Sequence, residues 1–368
     1  MRLLEVFEPP DGGVPEHVGQ LSRGLRERGH EVELAGPPAA RLRDALQGSV
    51  YHPLPLVRSY GNPARELQAL AGLYGLLRRR PVDLVHAHSS KAGVIARLAA
   101  RAARIPCVYT PHCYSFIGDV SARRRLFATT VERSLARATA CTICVCQYER
   151  REALRRRVAA PEGVAVIHNG VAPCPDAEPD PALRRYANGA PLVGAVSVHR
   201  RQKGVDRLLD AAPGILERRP DVRFAVVGDG PLRSENEAKA RALGLGEHVV
   251  FLGFTGAAAS YLRALDVFVL PSRWEAFPIA VLEAMSCGTP TVATDAGGTR
   301  EALEGGAGAL VPNWDQRAFE HAVVSLLASE SEREAMSARA QRRAAERFSA
   351  ERMLGQTYAL YQSTVASA

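Results

Sequence analysis

The stretch APCPDAEPDPALRRYANGA, residues 172–190, is rich in proline, aspartate and alanine and divides the chain into two similar series. On its N-terminal side the short apolar runs RLLEVF, EVEL, LVHAH, CVYTPH, ICVC and VAVIHN read as strands. Helix-like segments such as HVGQLSRGLRERG and KAGVIARLAARAAR lie between them. On its C-terminal side LVGAVSV, RFAVVGD, VVFLG, VFVLP and TVATD repeat the scheme, separated by VDRLLDAAPGILERR and SENEAKARALG among others. Alternating strand and helix argue for parallel, doubly wound sheets. The expected architecture is therefore α/β: two Rossmann-like doubly wound parallel-sheet domains facing a central cleft. The first would take residues 1–175 and the second 190–349, with residues 350–368 forming a helix that packs back on the first. Ligands of open α/β sheets lie beyond the carboxyl ends of the strands, which places the expected site in that cleft.

A chain of 368 residues suffices for two domains of ordinary size. Its 46% apolar and 23% charged content excludes wholesale disorder. MRLLEVF is too short for the apolar region of a signal peptide, and no run reaches the ~18–20 apolar residues of a membrane span. A cytoplasmic location is expected, and seven cysteines, an odd number, fit a closed disulfide framework poorly. Strand alternation would send Cys144 and Cys146 to one face and Cys141 to the other, and no histidine joins them locally. Core packing is thus favoured over a metal site.

The formal charge of +8 is uneven. Residues 1–180 hold 25 Lys and Arg against 18 Asp and Glu, whereas the remainder is nearly balanced. Arg78–Arg80, Arg123–Arg125 and Arg155–Arg157 carry much of the excess; each alone reads as a solvated helix face. Together they suggest an anionic partner for the first half, such as a membrane surface or a phosphorylated lipid. No basic aromatic groove or zinc-finger spacing accompanies the charge, so nucleic acid is not expected. Only Lys91, Lys203 and Lys239 are lysines, which marks Lys203 and Lys91 as places where a compact ammonium is wanted.

Four segments fall at expected strand ends. In PPDGGVPEHV, Gly12 and Gly13 precede a helix and would let backbone approach a phosphate or sugar; a plain turn is the competing reading. YTPHCYSF places His112 after a strand, where a satisfied polar histidine is the ordinary alternative. In SVHRRQKGVDRLL, Lys203 beside Gly204 would hold a diphosphate or simply occupy a solvated basic turn. In LPSRWEAFPIAVLEAM, Pro278 suits the first helical position, so Glu275 precedes the helix and amides around Phe277–Ala280 are left without intrahelical partners. Glu275 could merely complement the helix dipole. An exposed helical role suits Glu283 poorly, because Val281, Leu282 and Met285 crowd it. A carboxylate there wants hydroxyl donors, which sugars supply in pairs.

The Glu-x7-Glu segment from Glu275 to Glu283 resembles the signature of the retaining glycosyltransferases of family 4, which have the GT-B fold. GGVPEHVGQLSRGLRERGHEV, HAHSSKAG, TPHCYSF, IHNGV, QKGVDRLL, VVGDGPLR, VVFLGF, DVFVLPS, CGTPTVATDAGGTRE and FSAERMLGQTYALY resemble the family's other blocks, in order, over nearly the whole chain. The resemblance implies that Glu275, with the backbone that follows it at Phe277, Pro278 and Ile279, holds hydroxyls of a donor hexose. It implies that Glu283 binds the nucleotide's ribose, that Lys203 neutralises the diphosphate, and that Gly12 and Gly13 approach it from the other domain. His112 would lie near the reacting carbon and Phe254 would border the base. No metal and no cofactor are implied, and the chain has no DxD carboxylate pair. The family places an arginine five residues before its lysine; here that position is Val198, with Arg200 and Arg201 in the same loop. It also more often carries serine where this chain has Cys146.

The resulting expectation is a retaining hexosyltransferase that uses a UDP- or GDP-hexose and acts on a glycan, lipid-linked or small-molecule acceptor hydroxyl. It would be peripheral on the inner face of the membrane, in polysaccharide or glycolipid biosynthesis. A sugar-nucleotide epimerase or phosphorylase of related fold, and a non-catalytic nucleotide-sugar-binding subunit, are the rivals.

Overall fold

The computed structural model describes residues 1–38, 48–56, 62–253 and 258–368. It divides into two compact units, Met1–Gly170 with Ala350–Ala368, and Val171–Ser349. Each is built on one parallel sheet.

The first sheet contains β1 (Arg2–Phe7), β2 (Glu31–Gly36), β3 (Val50–Pro53), β4 (Leu84–His88), β5 (Cys107–Thr110), β6 (Cys141–Cys144) and β7 (Val164–Val166). Their spatial order is β3-β2-β1-β4-β5-β6-β7. The second contains β8 (Leu192–Val196), β9 (Arg223–Val227), β10 (Val249–Leu252), β11 (Val267–Leu270), β12 (Thr291–Thr294) and β13 (Ala309–Val311), ordered β10-β9-β8-β11-β12-β13. Central strands such as β4 and β8 are buried at every residue, as a sheet covered by helices on both faces requires. The edge strands β3 and β13 have no counterpart among the runs read from the sequence. Neither carries the continuous buried apolar run of a central strand: β3 is nowhere fully buried and ends in a proline that only an edge tolerates, and β13 buries only Val311.

In both sheets the strand order reverses direction beside the first strand, between β1 and β4 and between β8 and β11. These switch points open a crevice at the carboxyl ends of the strands, and crossover helices cover the faces. In the first unit Val18, Leu21 and Leu25 of the helix Gly13–Glu27 pack with Leu3, Phe7 and Leu34. The closing helix Ala350–Ala366 adds Met353, Leu354 and Tyr361 to that core. In the second, Leu208, Leu209 and Ile215 of the helix Val205–Arg218 and Phe319 and Val323 of the helix Gln316–Ala328 cover Val193, Phe224 and Val267.

Residues 171–190 belong to the second unit and hold a short helix, Pro181–Ala187. Cys174 in this segment is disulfide-bonded to Cys287 at the end of the helix Ile279–Cys287, which corrects the reading that an odd cysteine count argues against a disulfide. Cys146 is also re-placed. It lies beyond β6 rather than on it, and its sulfur accepts the Glu149 amide at the start of the helix Gln147–Arg155, the capping position a serine would fill. Among the described residues no helix is long and apolar enough to cross a membrane.

Candidate functional site

In the second unit the site grows from two loops, one after β8 and one after β11. Gly204 ends the first loop at φ +69°, and a Cβ there would lie 2.1 Å from the Pro271 carbonyl oxygen of the second. Only glycine permits both the conformation and that approach. The contact brings Lys203 Nζ to 2.7 Å from Glu275 Oε1. Ser272 Oγ donates to the same oxygen at 2.7 Å, and Gln202 Nε2 donates to the other at 3.4 Å. Glu275 is 4% exposed, so its charge is compensated by an ammonium and two neutral donors rather than by water. Arg273 ties the loops further, forking Asp206 at 2.8 and 2.6 Å and donating its amide to the Gln202 carbonyl at 2.7 Å. A third loop joins through Gly228, at φ +141°, whose Cβ would fall 2.0 Å from the Ser197 carbonyl oxygen. Buried Ser197 Oγ and His199 Nε2 find no hydrogen-bond partner among the described residues.

Pro278 is the last extended residue before the helix Ile279–Cys287, not its first helical one; its ψ of 115° excludes it from the helix. The Phe277 ring packs edge-to-face on Phe348 at 5.2 Å and belongs to the core, so only its backbone is left for a ligand. Glu283 follows Ile279 by four positions and shares its helix face. Both are half-buried, whereas Val281, Leu282, Ala284 and Met285 are fully buried. At the family's arginine position, Val198 is half-buried. Arg200 is extended and half-buried, and Arg201 is exposed with its carbonyl accepting from Arg273 at 2.9 Å. Phe254 lies outside the described residues.

In the first unit Gly12 (φ +79°) and Gly13 are exposed at the start of the helix Gly13–Glu27, which has no side-chain cap. One turn on, His17 is buried, its ring 4.7 Å from that of His112. His112 (φ +52°) and Cys113 (φ +110°) are successive non-glycine residues in the left-handed region, a conformation that must be held in place. Glu149 holds it: the Cys113 amide donates to one carboxyl oxygen at 2.8 Å and the Val145 amide to the other at 2.9 Å. Burial pushes the Glu149 carboxyl up to about 7 against the pull of these amides.

Behind His112 lies a buried polar chain. His88 Nδ1 is 3.0 Å from His112 Nε2, and His88 Nε2 is 2.5 Å from Glu5 Oε2. Tyr361 Oη donates to Glu5 Oε1 at 3.1 Å and lies 2.5 Å from His86 Nδ1, while His86 Nε2 meets Thr110 Oγ1 at 2.8 Å. Burial pushes the His17 imidazole down to about 3 and those of His86 and His112 well below the usual histidine range, each helped by neighbouring histidines. The spacing of His17, His88 and His112, and of Glu5, His86 and His88, would admit a cation. However, Glu5, His86 and His88 already spend their polar atoms on one another and on Tyr361, Thr110 and His112, so the arrangement reads as a hydrogen-bonded chain.

The structure thus brings Lys203 and Glu275 into contact and sets Glu283 on the same loop-helix element. It places His112 beside the helix that Gly12 and Gly13 begin. Sequence reading missed Glu5, His17, His86, His88, Glu149 and Tyr361. A signal existed in LVHAH, where two histidines two apart on a strand share a face, opposite a lone glutamate in RLLEVF.

Residues 11–173 match the model of Glycosyltransferase Family 4 and residues 183–343 that of glycosyl transferases group 1. The phosphatidyl-myo-inositol mannosyltransferase of Mycobacterium leprae is 32% identical over 89% of this chain and 87% of its own length. An Escherichia coli enzyme, UDP-Gal:alpha-D-GlcNAc-diphosphoundecaprenol alpha-1,3-galactosyltransferase, is 32% identical over 64% of this chain; the match spans 63% of that enzyme. Among solved structures, Anabaena HepE in complex with UDP and glucose superposes with a TM-score of 0.83 at 22% identity, covering 99% of this chain and 100% of that one. With these matches, a double parallel-sheet fold and the Glu275–Glu283 segment in place, the chain belongs to the family 4 glycosyltransferases of GT-B fold.

Proposed function

We propose that the protein is a retaining, metal-independent hexosyltransferase that moves a sugar from a nucleoside diphosphate, UDP or GDP, to an acceptor hydroxyl. The observation that carries the reading is the Lys203–Glu275 pair at the β8/β11 switch point, a cation and a carboxylate held together by glycine-permitted loop contact. Lys203 would turn to the diphosphate when it arrives, with Arg200 adding charge where Val198 supplies none. Glu275, released from that pair, and the backbone of Phe277, Pro278 and Ile279 would take sugar hydroxyls. Glu283 would take the ribose. In the first unit, Gly12 and Gly13 would approach the diphosphate and His112 the reacting sugar. No protein carboxylate is assigned as nucleophile; the acceptor hydroxyl would attack on the face the diphosphate leaves, with a phosphate oxygen as its base.

The first unit would hold the acceptor and the second the nucleotide sugar. The curated relatives named above are an inositol-lipid mannosyltransferase and a diphosphoundecaprenol galactosyltransferase. They favour a lipid-linked acceptor, and the basic excess of residues 1–180 suits an enzyme peripheral to an anionic cytoplasmic membrane face.

Incubating the purified protein with a panel of UDP- and GDP-hexoses in EDTA tests the reading. Slow donor hydrolysis, stimulated by acceptor and giving product of unchanged anomeric configuration, is expected. An inverted product, or activity abolished by EDTA, overturns it. Val198 keeps one second reading in view, a non-catalytic binding subunit; tight donor binding without turnover would select it.

A further inference from the structure

We propose that Glu5 and His88 are positioning residues that fix the ring tautomer of His112, so that its Nδ1 presents a lone pair to a substrate hydroxyl. The inference rests on the reading above that His112 meets the sugar. It concerns how that histidine is set, which the family resemblance leaves open.

The Glu5 carboxylate accepts Tyr361 Oη–H on Oε1 at 3.1 Å, and on Oε2 it faces His88 Nε2 at 2.5 Å. A carboxylate has only acceptors to offer, so His88 carries its hydrogen on Nε2. With its one hydrogen there, the His88 ring has a lone pair on Nδ1, and that atom lies 3.0 Å from His112 Nε2. For this contact to be a hydrogen bond, His112 must donate from Nε2, which leaves its Nδ1 unprotonated. His86 Nδ1 also lies 3.4 Å from Glu5 Oε2 without reversing this direction, because toward a carboxylate it too can only donate. Tyr361 gives its proton to Glu5, so His86 donates from Nδ1 to Tyr361 and accepts from Thr110 on Nε2. Glu5, His86, His88, Thr110 and Tyr361 are buried and His112 is half-buried at the end of the chain, so rotation of the inner members to another arrangement would orphan a buried polar atom. The burial-lowered basicity of His112 agrees with a neutral ring. A ring fixed in this way accepts a hydrogen bond from a hydroxyl and cannot donate one from Nδ1.

Two measurements test this. Long-range nitrogen–proton correlation spectra of the histidine-labelled wild-type protein report tautomers directly. The His112 Nδ1 resonance is expected at the unprotonated position, and a protonated Nδ1 overturns the proposal whether or not any variant folds. Glu5→Gln preserves shape but turns an NH2 toward His88. His88 should then donate from Nδ1 and force His112 to protonate its own Nδ1. We expect kcat to fall about 100-fold with donor KM changed less than about threefold. Tyr361→Phe, which leaves the direction of the chain intact, should change kcat only a few-fold. Wild-type kcat in Glu5→Gln, or equal losses in both variants, overturns the proposal. His112→Ala separates the two ideas: full activity there removes the sugar-facing role of His112, while the tautomer measurement still stands.

Discussion

Both units lay their strands in the same order around a switch beside the first strand, yet they fill that crevice with different chemistry. Beyond β8 and β11 the walls are backbone, brought close by Gly204 and Gly228 and charged by one lysine–glutamate pair. Around β1 and β4 the walls are side chains: three histidines, a glutamate and a tyrosine, joined by hydrogen bonds and all buried but His112, which is half-buried. The first arrangement suits holding a fixed anionic ligand, because backbone and point charge need little adjustment. The second suits handling protons, because neutral imidazoles have one donor and one acceptor each. One topology therefore supports either task, and the strand-end residues decide which.

The comparison can be broken most sharply at Glu275. Glu275→Ala should lower transfer ~10²–10³-fold and leave free-nucleotide affinity nearly unchanged. Isothermal titration alongside the transfer assay checks this, and equal losses for sugar nucleotide and free nucleotide would dissolve the division between sugar and nucleotide contacts. Gly204→Ala probes the backbone wall. With φ at +69° and a carbonyl oxygen 2.1 Å from the new Cβ, it should cost the second unit ~2–4 kcal/mol in urea unfolding. A change within ~0.5 kcal/mol would mean the loops part without penalty. Glu283→Ala should weaken UDP or GDP itself by ~1.5–3 kcal/mol, the range for hydrogen bonds to a charged group. An unaltered nucleotide dissociation constant removes the ribose role.

Glu149→Gln sharpens the other side. The native carboxyl titrates near 7, against an ordinary 4.5, because burial disfavours its charge. Between those values the folded protein holds the extra proton, so stability falls as pH rises through this window. The amide cannot titrate, so the substitution should flatten the decline, which is on the order of 1–3 kcal/mol, in unfolding free energies compared at about pH 5 and pH 7.5. An identical slope in both proteins would show that Glu149 does not carry it.

The alternation of apolar runs and amphipathic segments made both sheets legible, since a strand buried on two faces leaves an unbroken apolar signature as in LVGAV. Glu275 and Glu283 drew notice as charges in an apolar run, and Lys203 as one of three lysines, beside a glycine at a strand end. What the residues did not disclose was that Lys203 and Glu275 partner each other, a pairing made 72 residues apart by two loops meeting at one glycine. The histidine chain was hidden for a similar reason. Glu5, His88, His112 and Tyr361 are scattered widely along the sequence, and only strand register and the closing helix assemble them. Cys146 shows the opposite case, where a sulfur takes the capping place at the start of a helix by accepting the Glu149 amide.

Tyr361, which anchors Glu5 from the helix Ala350–Ala366, gives the first unit a particular order of completion. A ribosome makes β1 before the second unit and this tyrosine only after it. Until it is made the first unit's core lacks Met353, Leu354 and Tyr361, whereas every residue of the second unit lies at or before Ser349. Any chain cut short after Ser349 would carry a complete second unit beside an unanchored Glu5.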